Sequence, residues 1–552
     1  MKILLAACNA KYIHSNPAVY ALRVYAGKYR EQILIREYTI NQEKDDVLRD
    51  LYESGADVIC FSCYIWNISY IRALLEDLPK ILPGAAFWAG GPEVSFDPEQ
   101  VLKAVPCMKG IMVGEGEETF LELADLYLGE KGTLAGIKGI VYREKDRIIR
   151  TERRNPVELS SLPFAYEDLS DFKNRIIYYE SSRGCPFSCS YCLSSVDKAL
   201  RFRSLDLVKK ELQFFIDRQV PQVKFVDRTF NCRHSHAMEI WRYITEHDRG
   251  VTNFHFEISA DLLNEEELAL MEKMRPGLIQ LEIGVQSVNP RTLQAISRKA
   301  DFEKIKTSVK RIHSYGNIHQ HLDLIAGLPY EDYESFRDSF NQVYALKPHQ
   351  LQLGFLKVLK GSRMMECTEK YGILYKSSEP YEVLGTSWLS YKEILKLKTV
   401  ESMVEVYYNS GQFQYTLAYL ERFFSDAFGF FEALGRFYKE KGYLTLSHSR
   451  LRRYEILLEF LTGYRELSLD KVKDCMVYDL YLRENLKSRP SFALCQREYE
   501  KEIWTYRKEK KIPKTAHIEV FRDGRAVLFD YTKRNPLTNN GKTEEVNLYG
   551  NV

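Results

Sequence analysis

Ser182-Arg183-Gly184-Cys185-Pro186-Phe187-Ser188-Cys189-Ser190-Tyr191-Cys192 is the stretch on which the reading of this chain turns. It follows the apolar run Ile176-Ile177-Tyr178-Tyr179, so three cysteines at spacings of four and three leave the end of a predicted strand. Thiolates are soft ligands suited to iron–sulfur clusters or zinc. A cube of four irons that only carries electrons takes four cysteines; three leave one iron open to a substrate. A loop this short can wrap three thiolates onto one cube, with Gly184 and Pro186 shaping the turn. Structural zinc needs a fourth ligand, and no histidine or cysteine lies close behind Cys192, the next cysteine being Cys232. A disulfide would leave one thiol over. The residues point to a [4Fe–4S] cluster, with zinc or plain core cysteines as the alternatives.

The rest of the composition narrows the setting. At 552 residues the chain has length for three or four domains, and 45% apolar residues suffice for several cores. A formal charge of +2 gives no global bias towards nucleic acid or acidic membranes. Eleven cysteines without a secreted-type pattern fit a reducing cytoplasm. No apolar run reaches the roughly 18 residues of a membrane span. Met1-Lys2-Ile3-Leu4-Leu5-Ala6-Ala7-Cys8 mimics a lipoprotein cleavage site, but its apolar part falls short of the about 7–15 residues of a signal core and reads as a first strand.

The cysteine pattern, with aromatic Tyr191 just before its last member, resembles the radical S-adenosylmethionine (SAM) enzymes. The resemblance implies that the amino and carboxylate groups of SAM chelate the open iron. Reduction then cleaves SAM to methionine and a 5′-deoxyadenosyl radical, with a flavodoxin or ferredoxin-type protein as electron donor. Cys185, Cys189 and Cys192 are the catalytic and metal-holding residues.

Upstream of that loop, residues 1–145 alternate short apolar runs with helical patterns. Ile3–Ala7, Ile33–Arg36, Val58–Ser62, Ala86–Ala89 and Ile111–Val113 read as strands of a parallel, doubly wound, flavodoxin-like α/β sheet. Such sheets bind ligands at the carboxyl ends of their strands, and two glycine-rich stretches stand there: Gly90-Gly91-Pro92-Glu93 and Gly114-Glu115-Gly116-Glu117. Ahead of a radical SAM loop, this segment resembles the cobalamin-binding domain of cobalamin-dependent radical SAM enzymes, as does Phe61-Ser62-Cys63-Tyr64-Ile65-Trp66-Asn67. The resemblance places Tyr64, Trp66, Asn67, Gly90, Gly91, Gly114 and Gly116 around the corrin or its nucleotide tail. The Asp-x-His-x-x-Gly motif of a lower axial histidine is missing, so the cobalt is expected to lack one, with His14 an ordinary loop residue. Cys60 and Cys63 read as packing.

Residues 146–172 read as a linker, and 173–365 as a six-unit partial TIM barrel with its chemistry at the strand ends. Its strands are expected at Ile176–Ser181, Val223–Asp227, Phe254–Ser259, Ile279–Gln286, His321–Ala326 and Leu351–Val358, with a helix over Pro290–His313. Asp227 or Thr229 stands where the family carries Gly-Gly-Glu for the SAM amino group. Glu257 and Ser259 lie on the third strand. Gln286 and Ser287 match the family's Gly-Val-Gln-Ser beside SAM, and Gly327 its Gly-Leu-Pro against adenine. Arg298 is placed to reach the SAM carboxylate as a bidentate donor.

Residues 366–552 read as mainly helical, at Tyr391–Tyr408, Phe413–Lys441, Arg450–Phe460 and Asp470–Leu486, with a β-hairpin across Asp523-Gly524. The phenylalanine run 423–437 reads as a buried stripe, and Arg507–Lys511 as a solvated connector rather than an RNA contact. The resemblance implies a cobalamin-dependent methyltransferase acting on an unactivated carbon, its substrate unknown. Two rivals stand beside it. One is a methylthiotransferase-like enzyme acting on RNA or protein, whose second cluster would use Cys8, Cys60 or Cys63, and Cys107. The other is a non-catalytic cobalamin or redox sensor.

Overall fold

Ile3, Leu4, Leu5, Ala6 and Ala7 are each no more than 1% exposed, so the first strand is apolar on both faces. That is the signature of a parallel strand with helices above and below it. The computed structural model describes residues 1–548, and residues 549–552 of the expected C-terminal domain lie outside the described residues. The front sheet comprises β1 (Ile3–Asn9), β2 (Ile33–Thr39), β3 (Val58–Ser62), β4 (Ala86–Gly90), β5 (Met108–Met112), β6 (Ile140–Glu144) and β7 (Arg147–Arg150). Its order is β2-β1-β3-β4-β5-β6-β7. The first five strands pair in parallel, the flavodoxin-like order whose ligand crevice lies beside β1 and β3. The hairpin β6–β7 adds antiparallel pairs across a turn at Lys145, whose φ is 51°. The sheet therefore runs past the boundary expected at 145.

The second sheet has β8 (Ile177–Tyr179), β11 (Gln222–Phe225), β12 (Asn253–Ile258), β13 (Ile279–Gln286), β14 (His319–Ala326) and β15 (Gln350–Phe355). All pair in parallel, in the order β15-β14-β13-β12-β11-β8. Between β8 and β11, the short pair β9 (Ser182–Arg183) and β10 (Arg201–Phe202) brackets the cysteine loop. Along each barrel strand one set of alternating residues is apolar and buried, as with Phe254, Phe256 and Ile258 or Ile279, Leu281, Ile283 and Val285. The other set is polar: Lys224, His255, Glu257, Glu282, His321 and Asp323. With a side-chain period of two, the apolar set packs on the helices and the polar set fills the bore. Each buried Phe, Leu or Ile contributes about 1.5–3 kcal/mol.

The helix expected over Pro290–His313 is two helices, Pro290–Ala295 and Phe302–Tyr315. Ser297, at φ 54°, breaks it. The helix expected over Phe413–Lys441 is likewise split, into Gln414–Leu420 and Ala427–Glu440. There Asp426 starts the second piece by accepting from the Gly429 N–H. Phe428 and Phe431 are fully buried, a core stripe. The C-terminal region adds β16 (Leu374–Tyr375) and β17 (Val383–Gly385) near its start. Nearer its end lie β18 (His517–Val520), β19 (Ala526–Arg534) and β20 (Gly541–Val546). The hairpin is thus part of a three-stranded sheet.

Candidate functional site

The cysteine loop is held open from behind. Gly184 has φ 95°, and a Cβ there would sit 2.8 Å from the Ala199 carbonyl oxygen, so only glycine fits. Asp227, fully buried, accepts from the Ser181 N–H and hydroxyl and from the Ser182 hydroxyl. Burial pushes its carboxyl up, to about 6, against those three donors. Asp227 is therefore a brace beneath the cysteine loop and faces away from the pocket expected to hold SAM, a correction to its expected role. Further on, the Ser190 N–H donates to the Ile296 carbonyl at 2.9 Å. Cys185 and Cys189 are buried, Cys192 is half-buried, and all three are free thiols.

They line a cavity of about 230 Å³ together with Tyr191, Thr229, Glu257, Ser259, Gln286 and Arg298. The last two reach it through local irregularities. Gln286 sits at φ 72° where the β13–β14 register slips; such bulges re-aim a side chain. Its Oε1 is buried without a partner. Arg298 follows the helix break, donates to the Gly284 carbonyl and lies 3.8 Å from Cys189 Sγ. Its Nε is also unpartnered.

Beneath these residues the bore carries a column of titratable groups. Lys224 Nζ and His255 Nε2 each lie 3.0 Å from Glu282 Oε2. Burial raises Glu282, but these two partners outweigh it and hold the carboxyl down, at about 2. Glu257 has no such partner: burial, helped by the nearby Glu282 charge, pushes it up to about 7. Asp323, 3.0 Å from His321, is also raised by burial. One further residue expected beside SAM turns away: the Ser287 hydroxyl donates to Glu331. Gly327, whose backbone is expected against adenine, sits at φ 88°, and a Cβ there would lie 2.7 Å from Val383 Cγ1.

A larger cavity of about 460 Å³ opens at the carboxyl ends of the front sheet, lined by Leu5, Ala18, Ala21, Phe61, Tyr64, Gly90, Gly91, Met112, Gly114 and Gly116, among others. A Cβ on Gly114 would meet nothing within 4 Å, whereas one on Gly91 would strike the Cys63 carbonyl oxygen at 2.4 Å. The first glycine leaves space for a ligand; the second lets two loops touch. Trp66 stacks on Tyr64 at 4.4 Å and is exposed, outside the cavity wall. Asn67 is fully buried and fastens its loop by bonds to the Cys8 and Ser62 carbonyls. Asn67 is thereby a loop brace, a correction to its expected contact with the corrin. His14 turns to the Tyr178 hydroxyl at 2.6 Å.

Arg228 and Ser194 line both cavities. Neither stood out in sequence, Arg228 being a single exposed cation beside the more conspicuous Asp227. Glu115 and Glu117 of the second glycine-rich loop were also missed: they pair with Arg183 and Arg201, on either side of the cysteine loop.

Family models match three consecutive segments: the B12 binding domain at residues 3–124, the radical SAM superfamily at 179–343, and a protein family of unknown function, DUF4080, at 369–545. The chain is a radical SAM protein with a cobalamin-binding domain. Among its curated relatives, an uncharacterized methyltransferase of Pyrococcus horikoshii is 27% identical over half of this chain and 61% of its own length. The cobalamin-dependent radical SAM methyltransferase TokK of Streptomyces tokunonensis is 24% identical over 57% of this chain and 49% of its own. The chain thus spans about half to three-fifths of these relatives. In fold it is similar to the cobalamin-dependent SAM radical enzyme OxsB, with a TM-score of 0.60 and 14% identity over 95% of this chain and 82% of that one. The SAM methyltransferase TsrM of Kitasatospora setae gives 0.57 and 15% over 68% and 78%.

Cobalamin, SAM and a [4Fe–4S] cluster are the cofactors of this radical SAM protein, and its residues fit them. Three free thiols around one pocket suit a cube. Among the described residues no three Cys, His, Asp or Glu groups converge as a single ion would need. Unpartnered Gln286 Oε1 and Arg298 Nε await polar ligand atoms, and the glycine-edged apolar cavity suits a broad, flat macrocycle. Among the described residues no helix is long and apolar enough to cross a membrane.

Proposed function

We propose that this protein is a cobalamin-dependent radical SAM methyltransferase acting on an unactivated carbon. The observation that carries the reading is the adjacency of its two cavities, which share Arg228 and Ser194 as wall. Bound there, the cluster with SAM supplies a carbon-centred radical and cobalamin supplies a methyl carrier. Cys185, Cys189 and Cys192 hold the cluster. Thr229, Glu257, Ser259, Gln286 and Arg298 surround its open side, where Arg298 is the cation for a carboxylate and Glu257 the acceptor for an amine. Gly90, Gly114 and Gly116 border the corrin, with Tyr64 at its edge. The adjoining walls hold the reacting groups close together and shield a radical from water. A flavodoxin or ferredoxin-type donor supplies the electron. The second-cluster alternative has less support. Cys8 and Cys60 are buried in the sheet, where desolvation pushes both thiols up to about 12, and the Cys107 thiol donates to the Leu75 carbonyl.

The test is anaerobic reconstitution with iron, sulfide and cobalamin, followed by reduction in the presence of SAM. Formation of 5′-deoxyadenosine and of S-adenosylhomocysteine is expected. A fully loaded protein that yields neither would sink the reading.

A further inference from the structure

The loop that walls the corrin cavity is gripped by residues 267 and 288 positions further along the chain. Glu93, two residues after Gly91, is 6% exposed. It accepts from Lys360 Nζ at 2.7 Å and from the Tyr381 hydroxyl at 2.5 Å. Lys360 also stands over the Tyr381 ring, 5.3 Å from its centroid. The network continues outward. The Tyr381 hydroxyl lies 2.9 Å from Glu379, which accepts from Arg72 at 2.9 Å and from the Ser69 hydroxyl at 2.6 Å on the helix after β3. Two carboxylates and two cations are thus gathered in one interface, and their charges balance. Next to Lys360, Gly361 sits at φ 78°, where a Cβ would lie 2.1 Å from the ring of Phe96; Phe96 lines the corrin cavity.

The same short segment touches the cluster loop. The Met364 N–H donates to the Ser190 carbonyl at 2.8 Å, between Cys189 and Cys192. The segment is itself fixed to the barrel: Val383 N–H donates to the Leu356 carbonyl at 2.8 Å, and Val358 N–H to the Tyr381 carbonyl at 3.0 Å.

We propose that Lys360–Met364 and Glu379–Tyr381 form a strut that positions the corrin-bearing loop Gly90–Phe96 against the cluster loop. Its residues are positioning residues, acting through Glu93 and Phe96 on the cavity wall. Tyr381 and Glu379 lie within the region matched to DUF4080, so through the strut the start of that region holds cobalamin in register with the barrel. The inference rests on the cobalamin reading of the front cavity.

The test follows retention of the corrin rather than turnover. Full-length Glu93→Gln, Tyr381→Phe, Lys360→Met and Lys360→Arg are each reconstituted with cobalamin and cluster. Iron content, far-UV circular dichroism and the rate of cobalamin loss after gel filtration are then measured, the last by its visible absorption. Glu93→Gln and Lys360→Met are expected to release cobalamin about tenfold faster, since each leaves a buried partner unpaired. Tyr381→Phe should do so by a smaller factor, and Lys360→Arg should restore retention, with iron and fold unchanged throughout. Wild type that holds cobalamin beside variants that hold it equally well would overturn the strut alone. So would variants that lose iron, fold and corrin together. Wild type that never holds cobalamin would overturn the reading of the front cavity, and the strut with it.

Discussion

The two cavities sit side by side yet are built on opposite principles. The front cavity is walled mainly by apolar side chains and glycine backbone, with the charged Glu115, Glu117, Arg183 and Arg228 also on its lining. The cluster pocket is ringed by three thiols, carboxylates, an amide and a guanidinium, several held without partners. A large flat ligand gains enough from buried area that its wall needs only shape. A small charged ligand must be met by preplaced donors and acceptors, because each unpaired polar group costs about 1–3 kcal/mol. The first site is therefore sensitive to bulk and the second to single functional groups.

The largest expected effect removes a thiolate. Cys185→Ala, Cys189→Ala and Cys192→Ala should each lose SAM cleavage entirely, while bound cobalamin stays near the wild-type amount. Iron, corrin and 5′-deoxyadenosine measured on one preparation check this, and loss of corrin with the fold intact would break the contrast. Iron analysis of wild type also sharpens it: about four irons per chain mean one cluster, about eight mean two.

The converse test fills the apolar cavity. Ala21→Trp, on the helix Pro17–Tyr25 that lines it, should cut cobalamin retention by about a hundredfold or more, since an overpacked site costs several kcal/mol. Iron content and SAM cleavage should stay within twofold of wild type. Ala21 suits this test better than Gly91, whose Cβ would strike backbone before reaching the ligand.

A smaller effect is expected from pH. Glu257 is raised to about 7, so it carries a proton below that pH and a charge above it. If it accepts from the SAM amino group, SAM affinity should rise about tenfold between roughly pH 6 and 8, with most of the gain complete once Glu257 is ionised. Glu257→Gln should flatten that rise. Equilibrium binding of SAM to the reconstituted, unreduced protein reads it, and an unchanged pH profile in the variant would remove Glu257 from the contact.

The mildest expectation concerns the shared wall. Arg228→Ala should weaken SAM binding and corrin retention together, each by less than about tenfold, because Arg228 is exposed. An effect on one cofactor alone would assign Arg228 to that cavity.

Much of this architecture was legible in the residues alone. The cysteine loop is contiguous, so its spacing is its geometry. The barrel strands are stretches with buried apolar residues at alternate positions, and β13 matches its expected span, Ile279–Gln286, at both ends. Glycine at strand ends marked, for the same local reason, the two loops that line the front cavity. What sequence could not assign is the direction of each polar side chain at a strand end. Asp227 and Arg228 are neighbours, yet one braces the loop from behind and the other faces both cavities. A shift of one residue reverses a side chain, and only the bulge at Gln286 shows which residue there turns inward.

Local chemistry therefore determined the cysteine loop and the parallel sheets, because these depend on residues a few positions apart, while SAM and cobalamin were expected from the family resemblance that those residues carry. The tertiary structure decided which side chains meet. The bond from Lys360 to Glu93 joins positions 267 apart, and that from Tyr381 to Glu93 positions 288 apart. No periodicity or spacing encodes such a contact; it exists because the barrel carries the start of the C-terminal region back onto the carboxyl ends of β3 and β4, in the middle of the front sheet.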